Sequence, residues 1–190
     1  MKLDGVLPFA RILLEKAVMK GGAAVDATMG NGHDTLFLTS LTGENGMVFG
    51  FDIQSDAIET TKKRLAENGA ETWATLFHSG HERAAELIPD PFHGTLQGAI
   101  FNLGYLPGSD KSIVTKPGTT ISAVSQLLGM MAPGGIIVLV IYHGHEGGAE
   151  ERDKLLAFAR GLDQKEAHVL QYEFINQKNN PPFILAIEKR

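Results

Sequence analysis

The chain has 190 residues, of which 43% are hydrophobic and 21% charged, and this composition predicts one globular domain with a buried core. Cysteine is absent, which excludes disulfides, cysteine metal sites and cysteine nucleophiles. The formal net charge of -5 counts against a protein that coats DNA, but an RNA partner remains possible through a local basic patch.

The sequence also contains no signal for a membrane. No apolar run approaches the roughly 20 residues that a helix needs to cross a bilayer. Charged residues interrupt the apolar N-terminal segment, which therefore resembles an amphipathic helix and not a signal peptide. These features predict a cytoplasmic protein with no membrane partner.

Helical and extended patterns alternate along the chain, with glycine and proline at the expected ends and turns. Gly21-Gly22 and Gly69 stop two helices, and Pro133-Gly134-Gly135 is expected to form a turn before the most apolar strand. The predicted elements, in chain order, are a helix at 6–17, a strand at 23–27, a helix at 34–41, a strand at 47–52, a helix at 55–68, a strand at 72–77, a short helix at 82–88, a strand at 98–103, a helix at 119–131, a strand at 136–142, a helix at 149–161, and strands at 168–176 and 183–188.

This alternation, closed by a pair of strands, predicts one α/β domain over residues 1–190. Its sheet should be open and mostly parallel, with one antiparallel strand. Ligands of such sheets bind beyond the carboxyl ends of the strands. That rule gathers five polar or glycine-rich segments along one edge of the sheet, at residues 28–32, 52, 78–81, 102–105 and 142–145.

A glycine-rich turn, DATMGNG at residues 26–32, follows the first strand, and Asp52 ends the second strand. Such an acid can accept hydrogen bonds from ribose hydroxyls. The dinucleotide motif is excluded because Thr35 occupies its third glycine position, and a P-loop is excluded because no GK[ST] follows. The remaining pattern, DxxxGxG, is typical of S-adenosylmethionine (SAM) methyltransferases. The alternative is a plain strand-to-helix turn whose acid only caps it. The residues predicted to bind the cofactor are Asp26, Thr28, Met29, Gly30, Asn31, Gly32, Asp34, Thr35, Asp52, Ile53, Gln54, Ser79, His81 and Asn102.

A second candidate segment, NLGYLP at residues 102–107, follows the fourth strand. It is similar to the [DNS]PP[YF] motif of methyltransferases that modify amino groups, with Leu-Gly in place of Pro-Pro. The Asn102 side-chain oxygen and the Leu103 carbonyl can accept the two N–H bonds of an amine, and Tyr105 can stack on a base. The alternative is a turn that ends a strand and carries an aromatic plug.

A histidine-rich segment, YHGHEGG at residues 142–148, follows the fifth strand. Its HxH pattern lacks the further acid and histidines of hydrolase metal sites, so we predict no metal. A pH-tuned base, an RNA contact and a flexible loop with solvated histidines are the remaining interpretations. The long loop before residue 119 adds Lys111 and Lys116 as basic residues near the predicted site.

Together these segments, with the block NLGYLPGSDKSIVTKP at 102–117 as the most specific part, resemble the YtqB/MnmM family, long labelled putative rRNA methylases. The resemblance covers essentially the whole chain. It implies a Rossmann-like class I SAM-dependent methyltransferase fold with helices on both faces of a seven-stranded sheet, and a homodimer. It also implies a tRNA substrate, bound through the anticodon stem-loop, with no role for DNA. The implied reaction methylates the amine of 5-aminomethyl-2-thiouridine at the wobble position.

An amine target agrees with the absence of cysteine, which methylation of a pyrimidine ring carbon usually requires. The resemblance implies catalytic roles for Asn102, Tyr105 and His145, with His143 as a second candidate for the base. The residues expected to bind the substrate are Leu103, Gly104, Tyr105, Lys111, Tyr142 and His143. Two other readings remain open: a methyltransferase acting on rRNA or on a small-molecule amine, and a SAM-binding module without catalysis.

Overall fold

The structure is a computed structural model that describes residues 2–104, 115–145 and 147–190. Helices and strands alternate over most of its length, as the sequence predicts. In chain order the elements are α1 (Val6–Ala17), β1 (Ala23–Asp26), α2 (His33–Thr42), β2 (Met47–Asp52), α3 (Ser55–Glu67), β3 (Ala74–His78), α4 (Ala84–Leu87), β4 (Leu96–Leu103), α5 (Pro117–Met130), β5 (Met131–Ile141), α6 (Gly148–Arg160), β6 (Ala167–Tyr172) and β7 (Phe183–Lys189).

The strands form one sheet of seven, in the order β3-β2-β1-β4-β5-β7-β6. The pairs among β1 to β5 are parallel, whereas β7 runs antiparallel to both β5 and β6. The prediction of a mostly parallel sheet with one antiparallel strand is therefore confirmed. The strand order reverses between β1 and β4, which opens a crevice at their carboxyl ends where α/β sheets bind ligands.

Successive residues of the central strands point to opposite faces of the sheet, and both faces are covered by helices. On one face, Val25, Phe51 and Phe101 belong to a core that also includes apolar residues of α5 and α6. On the other face, Ala24 and Ile100 belong to a core shared with α1 and α2. The two-sided burial explains why the strands are continuous apolar runs.

The predicted turn at Pro133-Gly134-Gly135 is wrong. Strand β5 begins at Met131, directly after α5 ends at Met130, and the three residues form an irregularity within the strand. The pairing jumps from Leu96–Met131 to Gly98–Ile136 across it. Gly134 has a φ of 81°, and a Cβ on Gly135 would lie 2.9 Å from the Leu96 carbonyl oxygen. Glycine therefore permits a β-bulge here.

Several other element boundaries differ from the prediction by a few residues, among them those of β3 and β6. The third strand begins at Ala74, because Glu71–Trp73 forms a single 3-10 turn. Strand β6 ends at Tyr172 and does not reach residue 176. Among the described residues, no helix is both long and apolar enough to cross a membrane.

Candidate active site

Two clefts lie at the carboxyl ends of the strands and share a wall. The first has a volume of about 310 Å³ and the second about 500 Å³, and Thr28, Gly30 and Asn102 line both. The other described residues of the first cleft are Ala27, Phe51, Asp52, Ile53, Gln54, Ser79, Gly80, His81, Glu82, Gly104, Thr115, Lys116 and Thr119. Those of the second are Leu7, Ala10, Arg11, Met29, Asn31, His33, Asp34, Ile100, Leu103 and Tyr142.

Asp26 fixes the glycine turn from inside the protein. Its carboxylate is fully buried and accepts hydrogen bonds from the Thr35 hydroxyl, at 2.7 Å, and from the Thr28 amide, at 3.2 Å. Burial raises the pKa of Asp26 to about 7, the nearby charge of Asp34 adds to the increase, and the bond from Thr35 opposes it. Asp26 lines neither cleft, so it supports the turn from behind.

Asp52 closes the turn from the neighbouring strand. One carboxylate oxygen accepts the Gly30 amide at 2.9 Å, and the other accepts the Gln54 amide at 3.0 Å. The carboxylate is therefore held in one orientation at the wall of the first cleft. Each oxygen has a second lone pair, which leaves room for donors from a ligand.

Helix α3 holds the turn from its outer side. The Thr61 hydroxyl donates to the Gly30 carbonyl at 3.2 Å, and the Arg64 Nε donates to the Asn31 carbonyl at 2.6 Å. Gly32 has a φ of 75°, and a Cβ there would lie 2.9 Å from the Thr61 Cα. Only glycine combines this backbone conformation with such a close approach. We call these contacts of Thr61 and Arg64 the α3 latch.

Asn102 stands between the two clefts in a defined orientation. Its backbone amide donates to the Thr28 hydroxyl at 2.7 Å, and its side-chain Nδ2 donates to Asp34 Oδ2 at 2.7 Å. The amide assignment follows from this hydrogen bond, because a carboxylate can only accept. The Asn102 Oδ1 is thereby left as the acceptor.

Asp34 places a carboxylate in the second cleft. Its Oδ1 lies 3.5 Å from Nη2 of Arg11, a residue of α1 whose guanidinium also lies over the Phe37 ring. Arg11 is half-exposed, whereas the Asp34 side chain is 20% exposed. Tyr142 lines the same cleft, and its partial burial, together with the charge of Asp34, raises the pKa of its hydroxyl.

His81 lines the first cleft, where one backbone contact fixes its ring. Its Nδ1 lies 2.9 Å from the Ala27 carbonyl oxygen, which requires Nδ1 to carry the proton. Burial lowers the pKa of His81, so the ring is neutral and Nε2 holds a lone pair. That Nε2 is buried and has no hydrogen-bond partner among the described residues.

His143 and His145 do not line either cleft in the part of the chain that the structure describes. His143 packs edge-to-face against the Phe183 ring, and burial lowers its pKa. His145 lies near the end of β4, because a Cβ built on Gly104 would be 3.9 Å from its Cε1. The two residues therefore border the site from the side of α6.

A buried acid joins α6 to both ends of the 105–114 segment. Glu151 accepts hydrogen bonds from the hydroxyls of Thr115, at 2.8 Å, and Thr120, at 3.3 Å. Two hydrogen bonds join Thr115 and Gly104. The Thr115 amide donates to the Gly104 carbonyl, and the Gly104 amide donates to the Thr115 hydroxyl. Burial raises the pKa of Glu151. No pattern in the sequence pointed to this acid.

Most of the predicted site residues line one of the two clefts. Ile53, Gln54 and Ser79 lie in the first cleft, and Met29, Asn31 and Leu103 in the second. The buried Gly32 and Thr35 lie behind the turn with Asp26, whereas Tyr105 and Lys111 fall outside the described residues.

Sequence reasoning missed the contribution of α1. Its residues Leu7, Ala10 and Arg11 form one side of the second cleft. A charged residue within an amphipathic helix gave no sign that it would face a ligand site. Among the described residues, no group of three or more His, Asp or Glu side chains is arranged to hold a metal ion.

The chain is similar to known and suspected RNA methyltransferases. A family model described as "Putative rRNA methylase" matches residues 48–188. The chloroplastic tRNA (mnm5s2U34)-methyltransferase of Arabidopsis thaliana is 35% identical over 188 residues, which cover 95% of this chain and 68% of that protein. A crystal structure of a "putative rRNA-methylase" from Clostridium thermocellum is 44% identical and aligns over 100% of both chains with a TM-score of 0.96. A "putative methyltransferase" of Streptococcus mutans, solved in complex with SAH, is 34% identical and aligns over 99% of both chains with a TM-score of 0.89.

Proposed function

Because the chain belongs to the "Putative rRNA methylase" family and is a SAM-dependent methyltransferase, we propose that it methylates the primary amine of 5-aminomethyl-2-thiouridine at the tRNA wobble position. The Arabidopsis relative carries the corresponding product, mnm5s2U34, in its name. An enzyme of this kind needs a cofactor site and an amine site that meet at one point.

The observation that carries the proposal is the position of Asn102 in the wall between the two clefts. Its Nδ2 is engaged by Asp34 at 2.7 Å, so its Oδ1 is the atom that can accept an N–H from an amine. Holding the amine there would direct its lone pair toward a methyl group in the neighbouring cleft. Positioning of this kind supplies much of the rate when the reagent is already activated.

The first cleft fits SAM. Asp52 has lone pairs available for ribose hydroxyls, and its orientation is fixed by the Gly30 and Gln54 amides. Ile53, which is 59% exposed, offers an apolar surface to the adenine. SAM supplies the activated methyl group.

The second cleft would hold the substrate. Leu7 and Tyr142 give it an apolar and aromatic wall suited to a pyrimidine ring, and the buried Leu103 lies behind this wall. Asp34 supplies a charged partner. The amine must lose its proton before it can react, since an ammonium group has no lone pair. His145 is our proposed base, with Tyr105 and Lys111 as further substrate contacts. A substitution of His145 by Asn should then lower kcat while SAH binding stays unchanged.

The decisive experiment is an assay of methyl transfer from SAM to a synthetic anticodon stem-loop that carries the aminomethyl group. Mass spectrometry of the nucleosides should show the methylaminomethyl product. Wobble nucleosides from a deletion strain should accumulate the unmethylated amine. No methylation of this RNA, together with methylation of ribosomal RNA or of a free amine, would refute the substrate assignment and favour the alternative enzymes.

Two substitutions separate the cofactor site from the amine site. Asp52→Ala should weaken SAH binding in calorimetry by at least about tenfold, because it removes acceptors for the ribose and releases the Gly30 amide. Asn102→Ala should reduce turnover by about 100-fold while SAH binding stays within about threefold. Asp90→Asn, at an exposed site, is the control for the loss of one negative charge. Normal turnover by the Asn102 variant would contradict the role of Asn102.

We also propose that the enzyme acts as a cytoplasmic homodimer of single-domain subunits. A chain with a net charge of -5 needs a local or composite surface to bind RNA, and a dimer would provide one. Light scattering should give twice the mass of 20.5 kDa. A monomer at assay concentration with full activity would contradict this.

A further inference from the structure

We infer that Asp34 is a substrate-binding residue that recognises the positive charge of the amine, rather than the cofactor contact that its place in the glycine motif predicts. The inference rests on the proposed function, since it concerns how the second cleft selects its substrate. It also identifies the substrate class more narrowly: a cationic alkylamine in preference to a neutral group of the same size.

The position of Asp34 argues for this role. Its carboxylate lines the second cleft and not the first, and it is the only acid among the described residues of that cleft. Among the other lining residues of the second cleft, apolar and aromatic side chains outnumber the polar ones, and one, Arg11, is a cation. A largely apolar cleft with one carboxylate attracts an ammonium group, because the surroundings screen the charge less than water does.

The bonding of Asp34 leaves part of its capacity unused. Oδ2 accepts from the neutral Asn102 amide, and Oδ1 lies 3.5 Å from a half-exposed guanidinium of Arg11. Four lone pairs are available on a carboxylate, and these contacts occupy two of them. Arg11 also lies over the Phe37 ring and lines the same cleft, so an ammonium group would share the Asp34 carboxylate with this half-exposed guanidinium.

The contact between Asp34 and Asn102 links recognition to reaction. An ammonium held by Asp34 is placed beside the Asn102 Oδ1, which is oriented by the same carboxylate. When the amine has lost one proton to the base, its lone pair forms the new N–C bond, the S–CH3 bond breaks and its electron pair stays on sulfur. The product is a secondary ammonium, which Asp34 can still bind.

The test compares binding of two anticodon stem-loops in the presence of saturating SAH at one salt concentration. One carries 5-aminomethyluridine and the other carries 5-hydroxymethyluridine, a neutral group of similar size. Wild type should bind the aminomethyl RNA about 10- to 100-fold more tightly, the range of a charge-assisted hydrogen bond. Asp34→Asn should reduce the preference to about twofold, whereas Asp34→Glu should retain a clear preference.

Several outcomes would overturn the inference. Equal binding of the two RNAs by the wild-type protein would by itself overturn it. A preference for the aminomethyl RNA in Asp34→Asn as large as that of wild type would also overturn it. Loss of the preference in both Asp34→Asn and Asp34→Glu would show that the shape of the aspartate side chain, and not its charge, determines the preference. A tenfold loss of SAH affinity in Asp34→Asn, with an unchanged preference between the two RNAs, would show that Asp34 contacts the cofactor and not the substrate. Asp90→Asn should match wild type throughout. If wild type does not methylate the aminomethyl RNA, the proposed function fails, which is a separate result.

Discussion

Substitution of Gly32 by alanine tests how closely helix α3 and the glycine turn are packed. The new Cβ would lie 2.8 Å from the Thr61 Oγ1 and 2.9 Å from the Thr61 Cα. The second contact involves the backbone of α3 at Thr61, a buried residue, and backbone cannot rotate away as a side chain can. The turn or the helix must therefore move.

The expected cost has two parts. A positive φ of 75° costs alanine about 1–2 kcal/mol relative to glycine, and forcing a methyl group into packed atoms adds about 1–3 kcal/mol. The free energy of unfolding should therefore fall by about 2–5 kcal/mol. Because the moving turn carries the Gly30 amide bonded to Asp52, SAH affinity should fall as well.

The matched control is Gly69→Ala. Gly69 has a φ of 66°, close to that of Gly32, but a Cβ there would have no atom within 4 Å. It reports the backbone cost alone. Urea denaturation of the two variants, with calorimetry for SAH, gives the cost of the close approach as their difference. If Gly32→Ala were no less stable than Gly69→Ala and bound SAH normally, the α3 latch would not shape the site as described.

Three further substitutions probe the buried polar groups. Burial raises the folded-state pKa of Asp26 to about 7, so the folded protein holds this proton more tightly than the unfolded chain. As the pH rises from about 4 to about 7, the free energy of unfolding of wild type should therefore fall by up to about 4 kcal/mol. Thermal unfolding of Asp26→Asn should show a smaller fall over the same pH range. Thr28→Val should lower the free energy of unfolding by about 1–3 kcal/mol and reduce turnover, because the backbone amide of Asn102 loses its acceptor. Thr28→Ser keeps the hydroxyl and should resemble wild type. Equal stability and turnover of the two variants would exclude this hydrogen bond as a determinant of either. Glu151→Ala should destabilise by about 1–3 kcal/mol in urea, since the Thr115 hydroxyl loses its acceptor and Thr120 keeps only the Lys116 carbonyl. An unchanged midpoint of urea denaturation would contradict this.

The sheet could be predicted because its central strands are buried on both faces and form continuous apolar runs in the sequence. Strand ends at Asp52 and Leu103 were predicted to the residue, since a polar or glycine-rich segment follows each. The bulge before Ile136 was not, because a Pro-Gly-Gly segment indicates a turn equally well. Its role within a strand depends on pairing with β4, which is a tertiary contact.

The site was predictable where it depended on a local motif and not where it depended on packing. The glycine turn and Asp52 are motif residues, and the structure brings them together. The division of the turn between two clefts could not be seen from the sequence, since Asp34 and Gly30 belong to one short segment. Arg11 and Glu151 reach the site from distant helices, and nothing in their local sequence indicates this.

The α3 latch has a consequence for the cost of cofactor binding. Thr61 and Arg64 hold the carbonyls of Gly30 and Asn31 through contacts that involve only the protein itself. The conformational entropy of the turn is therefore lost when the chain folds, and little of it remains to be lost when a ligand arrives. A binding surface that is organised in advance binds its ligand more tightly than one that must first be ordered. The glycine turn therefore needs no remodelling between one catalytic cycle and the next.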